Sequence, residues 1–302
     1  MSWIKNNRLL LILNGILALG VGLFFVSSFK GNGDGTGPEQ RVRSIDLDKD
    51  FVFCGEKFPM DNFDVRQRLD AELLRNVYFH SQTILAIKRA NAIFPIIEPI
   101  LKAEGVPADL KYLAVAESAL SNVVSPVGAR GVWQFMKSAA ADFNLEVTEE
   151  VDERYHLEKS THAACKYLKG QKERLGSWVL AAAAYNGGPD RISQEMAKQH
   201  AKNFFDLNLA ADETMRYPFR IMAIKEVMEN PALYEYTIEK EHLYPPMNDY
   251  KVVKVSKAVP SWGDFAQEQG TSYRMLKLYN PWLIDGKLTN KAGKTYEIHI
   301  RK

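Results

Sequence analysis

The sequence predicts a mainly α protein in which a large helical domain is followed by a small α+β domain. Between about residues 61 and 240, apolar residues recur at helical spacing and no alternating pattern interrupts them. Strand-like alternation is confined to residues 250–255 and 295–300. A third feature is a nearly unbroken apolar run over residues 9–29, ahead of both domains.

The apolar run predicts how the chain is attached. About 20 apolar residues are needed to span a bilayer as a helix, and Lys5 and Arg8 precede the run. Positive charges stay on the cytoplasmic side, so residues 1–30 are predicted to form a transmembrane signal anchor in the inner membrane. Everything after it would face the periplasm. A cleaved signal peptide is the alternative. Residues 31–60, which begin with a glycine-rich stretch, are predicted to be a flexible tether and flank.

The helical body is predicted from apolar spacing, element by element. Val65, Leu69, Leu73 and Val77 start a helical pattern that continues through Ile87 and ends near residues 94–95. Further helices are predicted at 95–104, 108–118, 137–144, 157–174, 177–186 and 216–229. Together they define a domain over residues 61–240.

One predicted helix places a carboxylate on its apolar face. Residues 110, 113, 114 and 117 share that face, and three of them are apolar while the fourth is Glu117. Desolvation raises the pKa of a carboxyl group, and a carboxylic acid that keeps its proton near neutral pH can act as a general acid. The alternative is a helix end that turns Glu117 back to water.

Four short blocks follow in order around this carboxylate. They are Glu117-Ser118, Ser125-x-x-Gly128-Ala129-x-Gly131 with Gln134 and Met136 after an apolar pair, Ala184-Tyr185-Asn186-Gly187-Gly188, and Glu213-Thr214-x-x-Tyr217. Each block alone has a purely structural interpretation. The glycines suit a tight turn, Asn186 suits a helix end, and Tyr217 suits a buried aromatic residue.

Taken together over roughly 100 residues, the blocks resemble the lytic transglycosylases, the peptidoglycan-cleaving relatives of goose-type lysozyme in glycoside hydrolase family 23. The resemblance implies a lysozyme-like all-α catalytic domain with Glu117 as its catalytic residue. It also implies that a cleft forms where Glu117, Gln134, Asn186 and Tyr217 converge, with the Tyr217 hydroxyl bonded to Glu117. The implied substrate-binding and supporting residues are Ser118, Ser125, Gly128, Gln134, Met136, Tyr185, Asn186 and Tyr217.

The resemblance implies a reaction that needs one carboxyl group. Ordinary glycosidases use two carboxyl groups, and no second acid lies in a comparable motif of this sequence. In lytic transglycosylases the Glu protonates the bond between N-acetylmuramic acid and N-acetylglucosamine. The muramic C6 hydroxyl then attacks C1, which leaves a 1,6-anhydro end. A hydrolytic muramidase of the same fold and a non-catalytic peptidoglycan-binding scaffold are the alternatives.

The tail over residues 245–302 has its own pattern. Two strands enclose two short helices at 261–269 and 272–279, and this βααβ order is similar to LysM modules, which bind N-acetylglucosamine chains. The Gly-Asp-Thr that usually follows the first strand is replaced by residues 258–262. Glycan binding and a structural cap on the catalytic domain are therefore both open. The LysM-like tail makes the membrane-bound lytic murein transglycosylases the most similar group.

Composition excludes some classes of function. The formal net charge of the 302 residues is +2, which gives no electrostatic argument for nucleic acid. The six histidines show no metal-ligand spacing, so neither a metal nor another cofactor is expected. The expected partners are glycan strands of peptidoglycan and, through the N-terminal helix, the membrane. Cys54 and Cys165 could pair or remain free thiols.

Overall fold

The computed structural model describes residues 43–302. The predicted anchor over residues 1–30 and the glycine-rich stretch after it lie outside these residues. Among residues 43–302, no helix is long and apolar enough to cross a membrane. Residues 45–302 form one compact unit.

Eight helices build the larger part of that unit, after a short antiparallel hairpin of β1 (Val52–Phe53) and β2 (Glu56–Lys57). The helices are α1 (Phe63–Tyr78), α2 (His80–Ala103), α3 (Lys111–Ser118), α4 (Lys137–Asp142), α5 (Leu157–Leu175), α6 (Trp178–Gly187), α7 (Pro189–Gln199) and α8 (Asp212–Glu229). Single 3₁₀ turns connect several of them.

Helix α6 is the centre of the helical core. Its residues from Val179 to Ala184 are all buried, and α5, α7 and α8 pack around it. A helix that is apolar on every face is stable only inside a protein. The start of α6 is capped by Ser177, whose hydroxyl accepts from Leu180 N–H, and Glu56 accepts from Trp178 N–H at 2.5 Å. The helix that ends in the Tyr185 block is thus held firmly at its first turn.

The helical core begins earlier than the predicted boundary at residue 61. Leu47, Phe51, Phe53 and Phe58 are buried in the same apolar cluster as the helices. The side chain of Glu56 in β2 reaches the start of α6, as described above. The part of the predicted flank that the structure describes is therefore folded onto the body, because its aromatic side chains remove apolar surface from water there.

The prediction of one helical pattern ending near residue 95 is wrong in two respects. The chain breaks at Phe79, with φ −92° and ψ 59°, and α2 then continues through Pro95 and Pro99 to residue 103. A proline normally ends a helix because it lacks an N–H and crowds the preceding turn. Here the N–H groups of Tyr244 and Met247 donate to carbonyl groups of α2 at 3.3 and 3.1 Å. These bonds attach residues 244–247 to the carbonyls of Lys88 and Ala92, in the part of α2 that precedes Pro95.

The region between residues 187 and 216 also differs from the prediction. Helix α7 was not predicted, although Pro189 stands in its first turn, where proline is favoured. Helix α8 begins at Asp212, four residues before the predicted start at 216. Its first turn carries Asp212 and Glu213, which suit the positive end of the helix dipole. The remaining predicted helices lie within a few residues of α3, α4, α5 and α6.

A small α+β domain follows the helices. Strands β3 (Tyr250–Val255) and β4 (Tyr296–Arg301) pair antiparallel, with Val253 opposite Ile298, and α9 (Trp262–Glu268) and α10 (Tyr273–Tyr279) lie between them in sequence. This is the predicted βααβ order. The domain has a second apolar cluster, in which Trp262 and Trp282 are buried. The mainly helical fold with a small strand-containing domain at its end is confirmed.

Both cysteines are free thiols in the structure, Cys165 buried and Cys54 partly buried. Burial raises the pKa of the Cys165 thiol to about 12, and it also raises the pKa of Cys54. Both groups are therefore thiols rather than thiolates at neutral pH. Within residues 43–302, no three His, Cys, Asp or Glu side chains come together in a group that could hold a metal ion.

Candidate active site

Glu117 lies in the last turn of α3, where the helix ends abruptly. Ala119 and Leu120 both adopt the left-handed conformation, with φ of 48° and 58°, and Ala119 N–H closes the helix on Val115 at 2.8 Å. The left-handed region is unfavourable for residues with a side chain, so the surrounding structure must impose this turn. It brings the chain sharply away from the helix while Glu117 remains on its buried side.

The groups around the Glu117 carboxyl group shift its pKa in opposite directions. Its pKa is raised to about 7: burial is the largest cause and raises it, the hydrogen bond from the Tyr217 hydroxyl and the charge of Arg220 lower it, and Glu213 raises it. Burial also raises the pKa of Tyr217, so its hydroxyl stays protonated and remains a donor. A carboxyl group with a pKa near 7 can both give and take a proton at neutral pH.

The Glu213 block and Arg220, all on α8, attach two other elements of the site to that helix. Tyr217 donates to Glu117, and the Thr214 hydroxyl donates to the Asn186 side-chain oxygen at 2.8 Å. Glu213 pairs with Arg220 at 3.1 Å, and Arg220 also donates to the carbonyl of Ala116 at 2.8 Å. The block therefore ties α3 and the end of α6 to α8.

The glycine block forms a tight loop between α3 and α4. The Ser125 hydroxyl accepts from Ala129 N–H at 3.0 Å, and Gly128, with φ +88°, occupies the left-handed region that favours glycine. Gln134 also has a positive φ of 52°, and its amide donates to the carbonyls of Gly131 and Val123 at 2.7 and 3.1 Å. The side-chain amide of Gln134 therefore stabilises the loop.

Two backbone carbonyls connect this loop to the catalytic helix and to α6. The Ser118 hydroxyl donates to the carbonyl of Val132 at 2.8 Å, directly beside Glu117. The Tyr185 hydroxyl donates to the carbonyl of Trp133 at 2.6 Å. Met136 follows the loop immediately before α4, and its side chain is 42% exposed.

Glu117 opens into a cavity of about 540 Å³. Of the predicted site residues, Glu117 and Ser118 line it, and Gln134, Tyr185, Asn186 and Tyr217 are not among its lining residues. Tyr217 touches Glu117 itself, but the side chains of Gln134 and Asn186 make contacts with the protein, as described above.

Sequence reasoning missed the facing wall of this cavity. It consists of residues around the break between α1 and α2 and of two arginines on α8: Asn76, Phe79, Gln82, Thr83, Arg216 and Arg220. Phe79 is 61% exposed, which suits a surface that contacts a ligand. The arginines were recognisable in principle, because residues 213, 216, 217 and 220 share one face of α8. The wall residues around the α1–α2 break lie outside every motif, so no local sequence pattern marked them as site residues.

A second carboxylate, Glu72 of α1, also lines the cavity. It is buried, and its Oε1 accepts from Arg75 Nη1 and from Arg216 Nε, both at 2.6 Å. Glu72 is thus held by two guanidinium groups, whereas Glu117 is held by a tyrosine hydroxyl.

Comparison with known families agrees with this arrangement. Residues 94–208, which include Glu117, the glycine loop and the Tyr185 block, match the family described as the Transglycosylase SLT domain. The chain contains a transglycosylase SLT domain. Residues 251–302 match the family described as the soluble lytic transglycosylase C-terminal LysM-like domain. The Glu213 block and α1, which complete the cavity, lie outside the matched range of the SLT domain.

Known proteins of similar sequence are named as lytic murein transglycosylases. The chain is 25% identical over 297 residues to membrane-bound lytic murein transglycosylase D of Escherichia coli K12, covering 92% of this chain and 60% of that protein. The protein of that name from E. coli O6:H1 gives the same values. The chain thus spans about 60% of the length of these relatives.

A solved structure of an SLT protein also matches. It is an inactive mutant of the lytic transglycosylase Slt from Pseudomonas aeruginosa, with 21% identity and a TM-score of 0.38. The match covers 50% of this chain and 26% of that one.

Proposed function

We propose that this protein is a peptidoglycan lytic transglycosylase that cleaves the bond between N-acetylmuramic acid and N-acetylglucosamine without water. The observation that carries the proposal is the Glu117 carboxyl group, with its pKa raised to about 7 by burial and its oxygen bonded by Tyr217. The SLT domain and the similarity to lytic murein transglycosylases support it.

Glu117 fills two roles in the proposed reaction. Its carboxyl proton passes to the glycosidic oxygen as the bond from muramic C1 to that oxygen breaks. The C6 hydroxyl oxygen of the same muramic residue then bonds to C1, and its proton returns to the Glu117 carboxylate. No water is consumed, and the product has a 1,6-anhydro end. Tyr217 stabilises the carboxylate between the two steps.

The other predicted residues have supporting roles in the proposal. Tyr217 orients the carboxyl group, Ser118 and Tyr185 fix the glycine loop, and Ser125, Gly128 and Gln134 shape it. Asn186 is held by Thr214 at the end of α6, and Met136 presents an exposed side chain next to the loop. Phe79 and Gln82 on the facing wall are additional candidates for glycan contact.

The proposed location is the cell envelope, with the catalytic domain in the periplasm and the membrane anchor at residues 1–30. The membrane-bound character of the similar E. coli protein, as its name states, and the apolar run in this sequence support it. The proposed domains are the anchor, a tether shortened to end near residue 44, a catalytic domain to residue 240, and the LysM-like domain at 245–302.

Mass spectrometry of muropeptides released from purified peptidoglycan tests the proposal. Wild-type protein is expected to release products one water lighter than those of lysozyme, and Glu117→Gln is expected to release none. Reducing muramic ends would instead indicate a hydrolase. If the wild type released no muropeptides, the result would indicate a non-catalytic peptidoglycan-binding scaffold.

Glu72→Gln distinguishes the one-carboxylate mechanism from a two-carboxylate hydrolase. Glu72 is the other acid in the cavity, and a hydrolase would need it as base or nucleophile. In the proposed mechanism, the variant still yields anhydro products, although removal of the partner of Arg75 and Arg216 lowers stability. Loss of all turnover in a folded Glu72→Gln protein would contradict the one-carboxylate mechanism.

A further inference from the structure

A buried ion pair lies outside the cavity, in the turn before α5. Asp152 is 1% exposed and Arg154 is 4% exposed. The guanidinium binds the carboxylate through two hydrogen bonds, from Nε to Oδ1 at 2.9 Å and from Nη2 to Oδ2 at 2.7 Å. Burying two charges is costly, so such a pair needs favourable geometry throughout. Nothing in the proposed chemistry uses either residue.

The remaining nitrogen of Arg154 holds the glycine loop. Nη1 donates to the carbonyls of Gly128 and Phe135, at 3.1 and 3.3 Å. Between these two points, Gly131 packs directly on the backbone of Arg154, where an added Cβ would lie 2.0 Å from the Arg154 carbonyl oxygen. Arg154 therefore contacts the loop at three points, residues 128, 131 and 135.

The loop in turn contacts the residue next to Glu117. Its Val132 carbonyl receives the hydrogen bond of Ser118, the neighbour of Glu117 in α3, and Val123 at its start lines the cavity. A displacement of the loop would move the side chain next to the proposed catalytic acid. It would also admit water to a carboxyl group whose pKa depends chiefly on burial.

The backbone that carries Asp152 is hydrogen-bonded to the LysM-like domain. Asp152 N–H donates to the carbonyl of Trp282 at 2.8 Å, and Ile284 N–H donates to the carbonyl of Glu150 at 3.0 Å. Val151, between them, is 1% exposed and belongs to the apolar cluster of the LysM-like domain, where it pairs with Leu283. One residue of the helical part thus completes the core of the small domain.

Further contacts extend this attachment. Tyr296 and Lys294 of the LysM-like domain bind the carboxylate of Glu146, with Lys294 at 2.9 Å, and Thr289 binds Glu150 at 2.8 Å. The loops on either side of the two small helices are also bonded to each other, Val259 with Leu288 at 2.7 and 2.8 Å. The LysM-like domain is therefore built onto residues 146–155.

We propose that Asp152 and Arg154 are positioning residues through which the LysM-like domain holds the glycine loop against Ser118, the neighbour of Glu117. This inference rests on the proposed function of Glu117. In this arrangement the small domain is a part of the catalytic unit, whether or not it binds glycan. Its contact with the loop passes through the ion pair at residues 152 and 154.

Two variants of the full-length protein test the ion pair. Asp152→Asn keeps the shape but removes the charge, and Arg154→Lys keeps the charge but cannot form the same four-point contact. Each is expected to lower kcat on purified peptidoglycan by about 10–100-fold, as for a misplaced catalytic group, with little change in KM. Arg174→Lys, at an exposed ion pair with Asp190, is the matched control.

The pH profile separates positioning from stability alone. On the alkaline side of the pH profile, kcat falls as Glu117 loses its proton; this part of the profile is the alkaline limb. The limb is expected to move to lower pH in both variants, since water around Glu117 lowers the pKa of its carboxyl group toward the ordinary value. The groups that set the pKa of Glu117 besides burial are Tyr217, Arg220 and Glu213. Asp152 and Arg154 are not among them, so a shifted limb reports hydration and not a lost neighbouring charge. Folded variants that keep both the wild-type kcat and the wild-type position of the alkaline limb would overturn the inference.

Val151→Ala tests the connection to the LysM-like domain with a milder change. Val259→Ala removes the same two methyl groups from the same apolar cluster and serves as its control. Val151→Ala is expected to shift the alkaline limb in the same direction, whereas Val259→Ala lowers the melting temperature alone. Equal profiles for the two variants would exclude transmission from the domain. A wild type without anhydro products would contradict the proposed function instead, independently of these comparisons.

Discussion

At the scale of single residues, the surroundings of Glu117 shift the pKa of its carboxyl group in opposite directions. Burial favours its neutral form, while Tyr217 and Arg220 favour its ionised form, and the result is a pKa of about 7. A general acid that must later act as a base needs both forms at the working pH. The groups that supply this balance come from α8, about 100 residues away in sequence.

Tyr217→Phe is expected to raise the pKa of Glu117 above its present value, because it removes a hydrogen bond to the carboxylate worth about 1.5–3 kcal/mol. The alkaline limb of kcat should therefore move to higher pH while kcat itself falls. The measurement is the pH dependence of anhydro-muropeptide release. Tyr167→Phe, which removes a hydroxyl bonded to the carbonyl of Ala184, is the control and should leave the limb in place. A limb that moves to lower pH would contradict this account.

Glu117→Gln is expected to stabilise the protein at alkaline pH. The folded pKa of about 7 lies above the ordinary 4.5, so Glu117 costs no stability below about pH 4.5 and destabilises the folded state increasingly as pH rises toward 7. The loss is on the order of 3 kcal/mol at about 1.4 kcal/mol per pKa unit. Gln mimics the protonated acid and avoids this loss.

Thermal denaturation at pH 5 and pH 8 measures this effect. The Gln variant should melt well above the wild type at pH 8 and close to it at pH 5. Glu173→Gln, at an exposed position, should show no such difference. An equal gain at both pH values would mean that the Glu117 carboxyl group is not desolvated in the folded protein.

At the scale of structural elements, the glycine loop depends on two glycines for different reasons. Both have positive φ, but the space beside Gly128 is open while Gly131 abuts the backbone of Arg154. Gly128→Ala is expected to cost about 1–2 kcal/mol, the strain of the left-handed conformation. Gly131→Ala must also displace Arg154, so its cost should exceed about 4 kcal/mol.

Chemical denaturation of the two variants checks this difference. Gly128→Ala is the matched control, since it makes the same substitution at nearly the same φ in the same loop. A Gly131→Ala protein as stable as Gly128→Ala would show that the loop can move away from Arg154 without cost. That result would also weaken the proposed role of Arg154.

At the scale of the whole molecule, the two apolar clusters are predicted to unfold together. Val151 of the helical part is buried in the core of the LysM-like domain, and backbone hydrogen bonds join residues 150–152 to residues 282–284. Calorimetry of residues 43–302 should therefore show one transition whose calorimetric and van't Hoff enthalpies agree. Two separated transitions would mean that the LysM-like domain is an independent module. Val151→Ala should broaden or split the transition more than Val259→Ala does.

The sequence by itself determined the mainly helical fold, the βααβ order of the tail and the motif around Glu117. These features depend on apolar periodicity and on side chains close together in the chain, so they are visible locally. The break at Phe79 and the passage of α2 through Pro95 and Pro99 are seen only in the tertiary structure, since a local rule ends a helix at proline. The same holds for the cavity wall around residues 76–83 and for the Arg154 contact with the loop. The pKa of Glu117 was also decided by the tertiary structure, because desolvation depends on what surrounds a carboxyl group in space.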